Sequence, residues 1–226
     1  MDYAEFQKKI GLSKVDLCRE AYRENRSSIR VKTENKVVKN LERIFSATLK
    51  ISNRKGFQAM SMRDLSREAN LSMGALYSYF ASKEELVAML QNQRRSVTKR
   101  ILKESIARES EPAAKLRAAI LTHLYLSEAM QPWFYFSYME AKNLSKKEQG
   151  LAVASELYSE KLLAEILEQG QIQGAFKRRD SQLTASIIKA MLQDWYLKRR
   201  KYAKRRVSAD QYAQFVLQFV ESFIHK

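Results

Sequence analysis

The chain has 226 residues, with 41 Lys and Arg against 25 Asp and Glu, and its net charge of +16 points to a polyanionic partner. Six Gly, two Pro and a scarcity of β-branched runs exclude a strand-rich or low-complexity chain and favour an all-α protein of one large or two small domains. Cys18 stands alone, which excludes an intrachain disulfide, and neither a leader-like core nor a run of about 20 apolar residues occurs, so a soluble, cytoplasmic protein with no membrane association is expected.

Charge alone does not separate DNA, RNA and anionic lipid, but its distribution narrows the choice. Residues 1–104 hold 22 basic against 12 acidic side chains, whereas residues 105–179 hold 10 against 9, so much of the positive field lies in the N-terminal part.

Residues 1–32 form an N-terminal extension. Ser13 and Asp16 have capping-box spacing, which predicts a short helix over 14–25. Arg23, Arg26, Arg30 and Lys32 follow, either as a basic arm reaching nearby phosphates or a minor groove, or as a solvated tail. A helix is expected over 33–55, with Val37, Leu41, Ile44, Phe45 and Thr48 on one face and Gly56 closing it.

The most informative stretch is SMRDLSREANLSMGALYSYFASK, residues 61–83. Ser61 and Asp64 have the spacing of an N-cap and its reciprocal acid, and Leu65 and Ala69 share one face of a short helix. Asn70, Leu71 and Ser72 interrupt it, because Asn tolerates left-handed backbone and Ser caps the next helix, expected over 73–79. Leu76 and Phe80 would face the core, turning Ser72, Met73, Ala75, Ser78 and Tyr79 outward. Gly74 and Ala75 are small enough for close approach to bases, while the hydroxyls of Tyr77 and Tyr79 and the ammonium of Lys83 suit phosphates. Ser82 and Glu85 repeat the capping-box spacing and start a helix at Lys83, with Leu86, Leu90, Val97 and Ile101 inward and a continuous run toward Ala107.

Beyond Pro112 a helix carries Leu116, Ile120, Leu121, Leu124 and Tyr125 until Pro132 stops or redirects it. The segment MQPWFYFSYME has more rings than one amphipathic stripe accommodates. A long helix over 146–169 would turn Leu151, Ala154, Tyr158, Leu162 and Ile166 inward, with Gly170 and Gly174 at its capped end. Residues 181–203 carry Leu183, Ile187, Met191 and Trp195 at intervals of four. The basic run LKRRKYAKRR at 197–206 reads as solvated and dipole-compensating, and Ser208 with Gln211 boxes the start of a last helix carrying Tyr212, Phe215, Val216, Phe219 and Phe223.

The run LSMGALYSYFASKEEL, with SMRDLSREAN before it and LERIFSATLKISNRKGFQAMS upstream, resembles the DNA-binding domain of the TetR-type (tetracycline-repressor-like) bacterial regulators. The resemblance implies a three-helix helix-turn-helix domain over 33–93 and a C-terminal helical domain over 94–226 for effector binding and dimerisation. By position, Ser72, Met73 and Gly74 would face the groove, and Ser61, Arg63, Tyr77, Tyr79 and Lys83 the DNA backbone; Met73 departs from the commoner small or polar residues, and it could pack on a thymine methyl.

The same resemblance implies a homodimer built by the last two helices, with Ile187, Met191, Tyr212, Phe215, Phe219 and Phe223 at the interface; closing the monomer's own core is the alternative for these residues. It further implies a small, lipophilic effector. Lining candidates are His123, Met130, Trp133, Phe134, Tyr135, Tyr138, Tyr158, Met191 and Trp195, with Tyr125 and Gln193 as polar orienters and Glu140, Lys142 and Asn143 at the mouth; each is equally read as core. No nucleophile elbow, glycine-rich phosphate loop or metal-spaced histidine pair occurs, and His123 and His225 stand apart, so neither an enzyme nor a cofactor or metal is expected. The expected function is a ligand-responsive regulator, in the primary reading a repressor on an inverted-repeat double-stranded operator. The alternative is a structural or division-linked DNA-binding protein that senses no metabolite.

Overall fold

The computed structural model describes residues 1–225. Its elements are α1 (Tyr3–Ile10), α2 (Lys14–Glu24), α3 (Glu34–Lys55), α4 (Met62–Ala69), α5 (Met73–Leu76), α6 (Lys83–Ala107), α7 (Pro112–Ala129), α8 (Gln131–Glu140), α9 (Lys146–Ile172), α10 (Ser181–Leu197), α11 (Arg199–Lys204) and α12 (Ala209–Ile224). Helix accounts for 78% of the structure and no strand occurs among the described residues, so the all-α expectation holds.

The residues group into two compact units. One comprises residues 11–97 and 135–150, and the other comprises residues 1–10, residues 98–134 and the chain from Leu151 onward.

In the first unit, α3 is the central helix. Val37, Leu41, Ile44, Phe45 and Thr48 are all buried on it, as their spacing predicts. Helices α2 and α4 pack against it, and Leu65, Ala69, Leu76 and Phe80 close the same core. The expected capping boxes at Ser13 and Ser61 both form, each stabilising its helix by about 1 kcal/mol. At Ser82 only half of the box forms. Its hydroxyl accepts from the Glu85 N–H at 3.2 Å, but the Glu85 carboxylate turns instead to the Ala81 N–H at 2.6 Å.

In the second unit, α7 is the buried axis, with nine consecutive buried residues from Ala119 to Ser127. Helices α1, α10 and α12 pack on it. Helix α1 has no counterpart in the sequence reading. Phe6 anchors it by packing on Tyr125 with ring centroids 5.5 Å apart, and the Asp210 carboxylate accepts from both the Tyr3 N–H at 2.8 Å and the Tyr125 hydroxyl at 2.7 Å.

Several expectations need correction. Helix α7 does end just before Pro132, at Ala129, but a new helix starts at once: Pro132 lies in the first turn of α8, where its missing N–H costs nothing. The ring-rich segment accommodates its aromatics because Trp133, Phe134 and Phe136 are buried while Tyr138 is exposed. On α9 the expected stripe fails at its start: Leu151 is exposed and the burial falls on Leu163, Ala164, Ile166 and Leu167. The helix expected over 181–203 divides at Lys198 into α10 and α11. On α10 the inner face is Ala185, Ile188, Lys189, Leu192, Trp195 and Tyr196, whereas Leu183 and Ile187 face outward.

Gly170 is a packing requirement inside α9 rather than a residue flanking its end. A Cβ there would lie 2.1 Å from the Phe176 ring, whereas one at Gly150, also in α9, would meet nothing within 4 Å. Substitution by Ala at the two positions should therefore act with opposite signs. Gly150→Ala is expected to stabilise by about 0.5–1 kcal/mol through helix propensity, while Gly170→Ala destabilises by about 1–3 kcal/mol as Phe176 is forced aside. Urea unfolding of both variants measures the contrast.

Candidate functional site

The site begins with a cap. Ser61 Oγ accepts from the Asp64 N–H at 3.1 Å, and the Asp64 carboxylate accepts from the Ser61 N–H at 2.9 Å and hydroxyl at 2.7 Å. Lys55 Nζ lies 2.8 Å from the same carboxylate, and its hydrogen bond, joined by those from Ser61, holds the Asp64 carboxyl well below the usual carboxylate range. Helix α4 then ends at Asn70, whose φ of 49° and ψ of 53° are the left-handed conformation expected of it. The turn is fixed by the Leu71 N–H on the Ser66 carbonyl at 3.0 Å and by the Ser66 hydroxyl on the Leu71 carbonyl at 2.5 Å. The Arg43 guanidinium also donates to the Asn70 carbonyl.

Ser72 caps α5 by accepting from the Ala75 N–H at 3.1 Å. The expected helix over 73–79 is shorter: α5 is one turn, Met73–Leu76, with Leu76 buried beneath it. Ser72 and Gly74 are exposed, and Met73, Ala75 and Ser78 are half-buried. A Cβ at Gly74 would meet no atom within 4 Å, so the protein's own packing does not require glycine there. Tyr77 is 43% exposed, and Arg63 is exposed as well.

Two expected phosphate ligands are turned inward. Tyr79 is 1% exposed, and its hydroxyl accepts from Asn40 Nδ2 at 2.7 Å. Burial pushes its phenol pKa up, with the Asn40 bond opposing. Lys83 places its ammonium on three carbonyls, those of Phe57 at 2.9 Å, Gln58 at 3.1 Å and Met60 at 2.8 Å, and over the Phe57 ring at 4.7 Å from its centroid. An ammonium has three N–H donors, so this set uses its capacity. Burial lowers the Lys83 pKa, while Glu84 and Glu140 act in the opposite sense.

Glu140 also departs from its expected place at a cavity mouth. Its carboxylate accepts from the Phe57 N–H at 3.1 Å and from Asn143 Nδ2 at 2.9 Å, so both residues brace the turn after α3.

The effector candidates are not gathered into one cluster. His123 Nε2 lies 2.8 Å from Lys189 Nζ, both buried, and the Phe134 ring packs edge-on against His123 at 5.8 Å and Tyr196 at 5.2 Å. Met130 and Trp133 are buried, Tyr135 and Tyr158 half-buried, and Lys99 lies over the Tyr158 ring at 5.0 Å. Tyr138, at 47% exposure, lies on the surface, which corrects its assignment to an interior wall. Trp195 belongs to a second cluster: it is fully buried, stacks on Tyr212 at 4.9 Å, has the Arg199 guanidinium 4.6 Å from its ring and donates its indole N–H to Glu128 at 3.0 Å. With its faces occupied in this way it is core rather than cavity wall. Tyr125 and Gln193 are engaged by Asp210 and Glu156.

Among the expected interface residues, Ile187, Phe215, Phe219 and Phe223 are exposed, whereas Met191 and Tyr212 are half-buried. The Tyr212 hydroxyl donates to the Met191 carbonyl at 2.7 Å, so this pair joins α12 to α10 within the protomer.

These partners predict a separation of roles. Tyr79→Phe should cost about 1–3 kcal/mol of stability by leaving the Asn40 amide buried without its acceptor, yet leave the salt dependence of DNA binding unchanged. Chemical denaturation and duplex titration of the same variant test both halves.

Two family models match the chain: "Bacterial regulatory proteins, tetR family" over residues 44–90 and "Tetracyclin repressor-like, C-terminal domain" over residues 109–220. The HTH-type transcriptional regulator PksA of Bacillus subtilis is 32% identical over 104 residues, covering 44% of this chain and 50% of the relative, so the match spans half of that protein's length. Among solved structures, the ketosteroid transcriptional regulator KstR2 of Mycobacterium tuberculosis aligns over 88% of this chain and 98% of its own with TM-score 0.72 and 20% identity. The regulator FadR of Bacillus subtilis in complex with stearoyl-CoA aligns over 82% and 100% with TM-score 0.63 and 18% identity. The one-turn helix seated behind a left-handed Asn70, the all-helical remainder and the two family matches together make this chain a member of the TetR family of bacterial transcriptional regulators.

Proposed function

We propose that the protein binds an inverted-repeat operator as a homodimer, acts there as a repressor, and is released by a small lipophilic effector. The observation that carries the DNA half is the surface formed by Ser72, Gly74 and Tyr77 with Arg63: polar, small and exposed on a capped turn braced from behind by Lys83 and Tyr79. Met73, half-buried beside them, is the apolar contact in this surface and suits a thymine methyl. Arg63 and Tyr77 have side chains suited to phosphates, which position a helix without reading sequence.

Support for the homodimer comes from the second faces of α10 and α12. Leu183 and Ile187 on one, and Phe215, Phe219 and Phe223 on the other, are 46–68% exposed at intervals of four, although each helix already buries an opposite face. Exposed apolar stripes of this kind fit a partner, and a one-turn reading helix gains specificity when two copies share a dyad. The effector reading draws on two proteins of the same fold, one solved with stearoyl-CoA and one described as a ketosteroid regulator. Within this chain, the buried Lys189 and His123 pair supplies polar groups in a largely apolar interior, an arrangement that would orient a lipophilic ligand by its polar end.

Duplex binding tests the first part. Affinity should fall roughly 1,000-fold or more between 50 and 200 mM salt as counterions are released. Tyr77→Ala should weaken binding by roughly tenfold per half-site, and so by roughly a hundredfold for the dimer, with unchanged stability, the scale of one lost hydrogen bond to a charged oxygen in each half-site. Salt-independent binding, or an unaffected Tyr77 variant, contradicts the reading. Sedimentation equilibrium tests the second part: the wild type is expected as a dimer at micromolar concentration and the double variant Phe215→Glu, Phe219→Glu as a monomer. An effector that does not change duplex affinity would favour the structural DNA-binding alternative.

A further inference from the structure

The N-terminal extension is an anchored element. After α2, the N–H groups of Ser28 and Ile29 both donate to the Asn25 carbonyl at 3.1 Å, and the Tyr22 hydroxyl donates to the Lys32 carbonyl at 3.3 Å. Ile29 between them is fully buried. One further bond fixes where this loop lies: the Arg30 N–H donates to the Ser78 carbonyl at 2.9 Å. Ser78 is the residue after the exposed Tyr77, in the turn that follows α5. The loop backbone therefore runs alongside the end of the proposed reading helix, and its position is set by a buried side chain and by hydrogen bonds at both ends.

The side chains that leave this anchored backbone are basic. Arg23, Arg26, Arg30 and Lys32 are all exposed. The acids around them are engaged elsewhere: Arg19 lies 3.0 Å from Asp16 and 3.3 Å from Glu34, and Glu24 accepts from the Ser96 hydroxyl at 2.9 Å. Among the described residues none of Arg26, Arg30 and Lys32 has a carboxylate partner. Like charges held together without counter-charges repel one another, and a polyanion removes that repulsion when it binds. Because the backbone is already ordered, little conformational entropy is lost on contact.

We propose that residues 26–32 form a second DNA contact, in which Arg26, Arg30 and Lys32 grip backbone phosphates flanking the segment approached by α5. This rests on the helix-turn-helix reading above. The partner is the phosphate backbone rather than base edges, because the pinned main chain cannot follow a groove and only the side chains extend. The loop would thus lengthen the footprint of each protomer without adding to the sequence it reads.

The probe is a fluorescein-labelled 40-base-pair duplex of random sequence, titrated by anisotropy across a range of KCl concentrations, so that no operator need be known. The full-length variant Arg26→Ala, Arg30→Ala, Lys32→Ala should flatten the slope of log K against log salt by roughly 2 or more per protomer, since each neutralised phosphate contributes about 0.9. Arg200, Lys204 and Arg205 are also exposed, and their triple substitution by Ala removes the same charge from the other unit. It should change the slope far less. The variant Arg26→Lys, Arg30→Lys, Lys32→Arg should retain the wild-type slope, and unchanged far-ultraviolet circular dichroism and melting temperature in all three show that the fold is intact. Equal slopes in the first variant and the wild type overturn the proposal, as do equal losses in the two Ala triples, which would mark a general effect of net charge. Preferential binding of wild type to phosphatidylserine vesicles, lost in the first variant, also overturns it. A wild type that binds no duplex at any salt concentration removes the helix-turn-helix reading itself, whereas weakening by Tyr77→Ala with no effect of the loop variant removes only the second contact.

Discussion

The Lys83 ammonium is the constraint on which the exposed surface depends. The chain leaves α3 through Gly56 at a positive φ of 81°, and the backbone of the turn that follows presents carbonyls with no helical partner. Three of them, at Phe57, Gln58 and Met60, converge on Lys83 Nζ, while the Phe57 N–H is satisfied from the other side by the buried Glu140 carboxylate. Partial burial of an ammonium is unfavourable, as its lowered pKa records, but the three carbonyl dipoles and the nearby carboxylates offset this. Because the turn is held, Ser61 starts α4 at a defined place, and α5 inherits its position through the left-handed Asn70. A residue that the sequence places at the DNA surface acts one step behind it, fixing the scaffold that presents Ser72 and Tyr77.

What was legible in the sequence is what depends on near neighbours in the chain. The boxes at Ser13, Ser61 and Ser208 each need only a residue three positions on, and all three form. The left-handed Asn70 and the core faces of α3 and α7 are equally local, since a period of three to four residues fixes which side of one helix is apolar. The misreadings involve distant partners. Tyr79 faces inward because Asn40, 39 residues earlier, offers its amide, and Lys83 because carbonyls 23 to 26 residues earlier converge on it. The link from Arg30 to Ser78 is a backbone bond to a loop, which leaves no trace in side-chain pattern. Helix α1 was missed for a similar reason, as its hold on Tyr125 and Asp210 is made entirely by residues more than a hundred positions away.

The helices α10 and α12 show a different limit. Their apolar residues occupy two faces, and periodicity cannot say which one a protomer buries. On α12, Ala213, Val216, Leu217, Val220 and Ile224 turn inward and Phe215, Phe219 and Phe223 outward, so the larger rings are on the exposed side. A helix serving the monomer alone would be expected to place its bulkiest apolar side chains in the core, where each gains about 2–3 kcal/mol by leaving water. Their outward placement is therefore the more informative half of the pattern. It accords with the proposed twofold pairing, in which the same rings are buried by a second copy.

Net charge, the first property read from this chain, turns out to be divided by function rather than spread evenly. Lys83 is turned toward carbonyls, Arg199 toward Glu128 and Trp195, and Arg95 toward Glu148; these cations are engaged within the fold rather than offered to DNA. Arg63, Arg26, Arg30 and Lys32 are exposed, and the last three lie on a loop tied to the turn after α5. A count of +16 treats the two groups alike, although only the second contributes directly to a field that DNA would meet. Affinity for a polyanion follows from the number of phosphates actually neutralised, so the relevant quantity is the number of exposed cations without carboxylate partners that reach the duplex rather than the total. For the same reason the basic run after α10 is a poor guide despite its density: Lys198 and Lys201 are drawn to Asp194 and Arg199 to Glu128, which leaves a patch whose charge is partly neutralised within the protein.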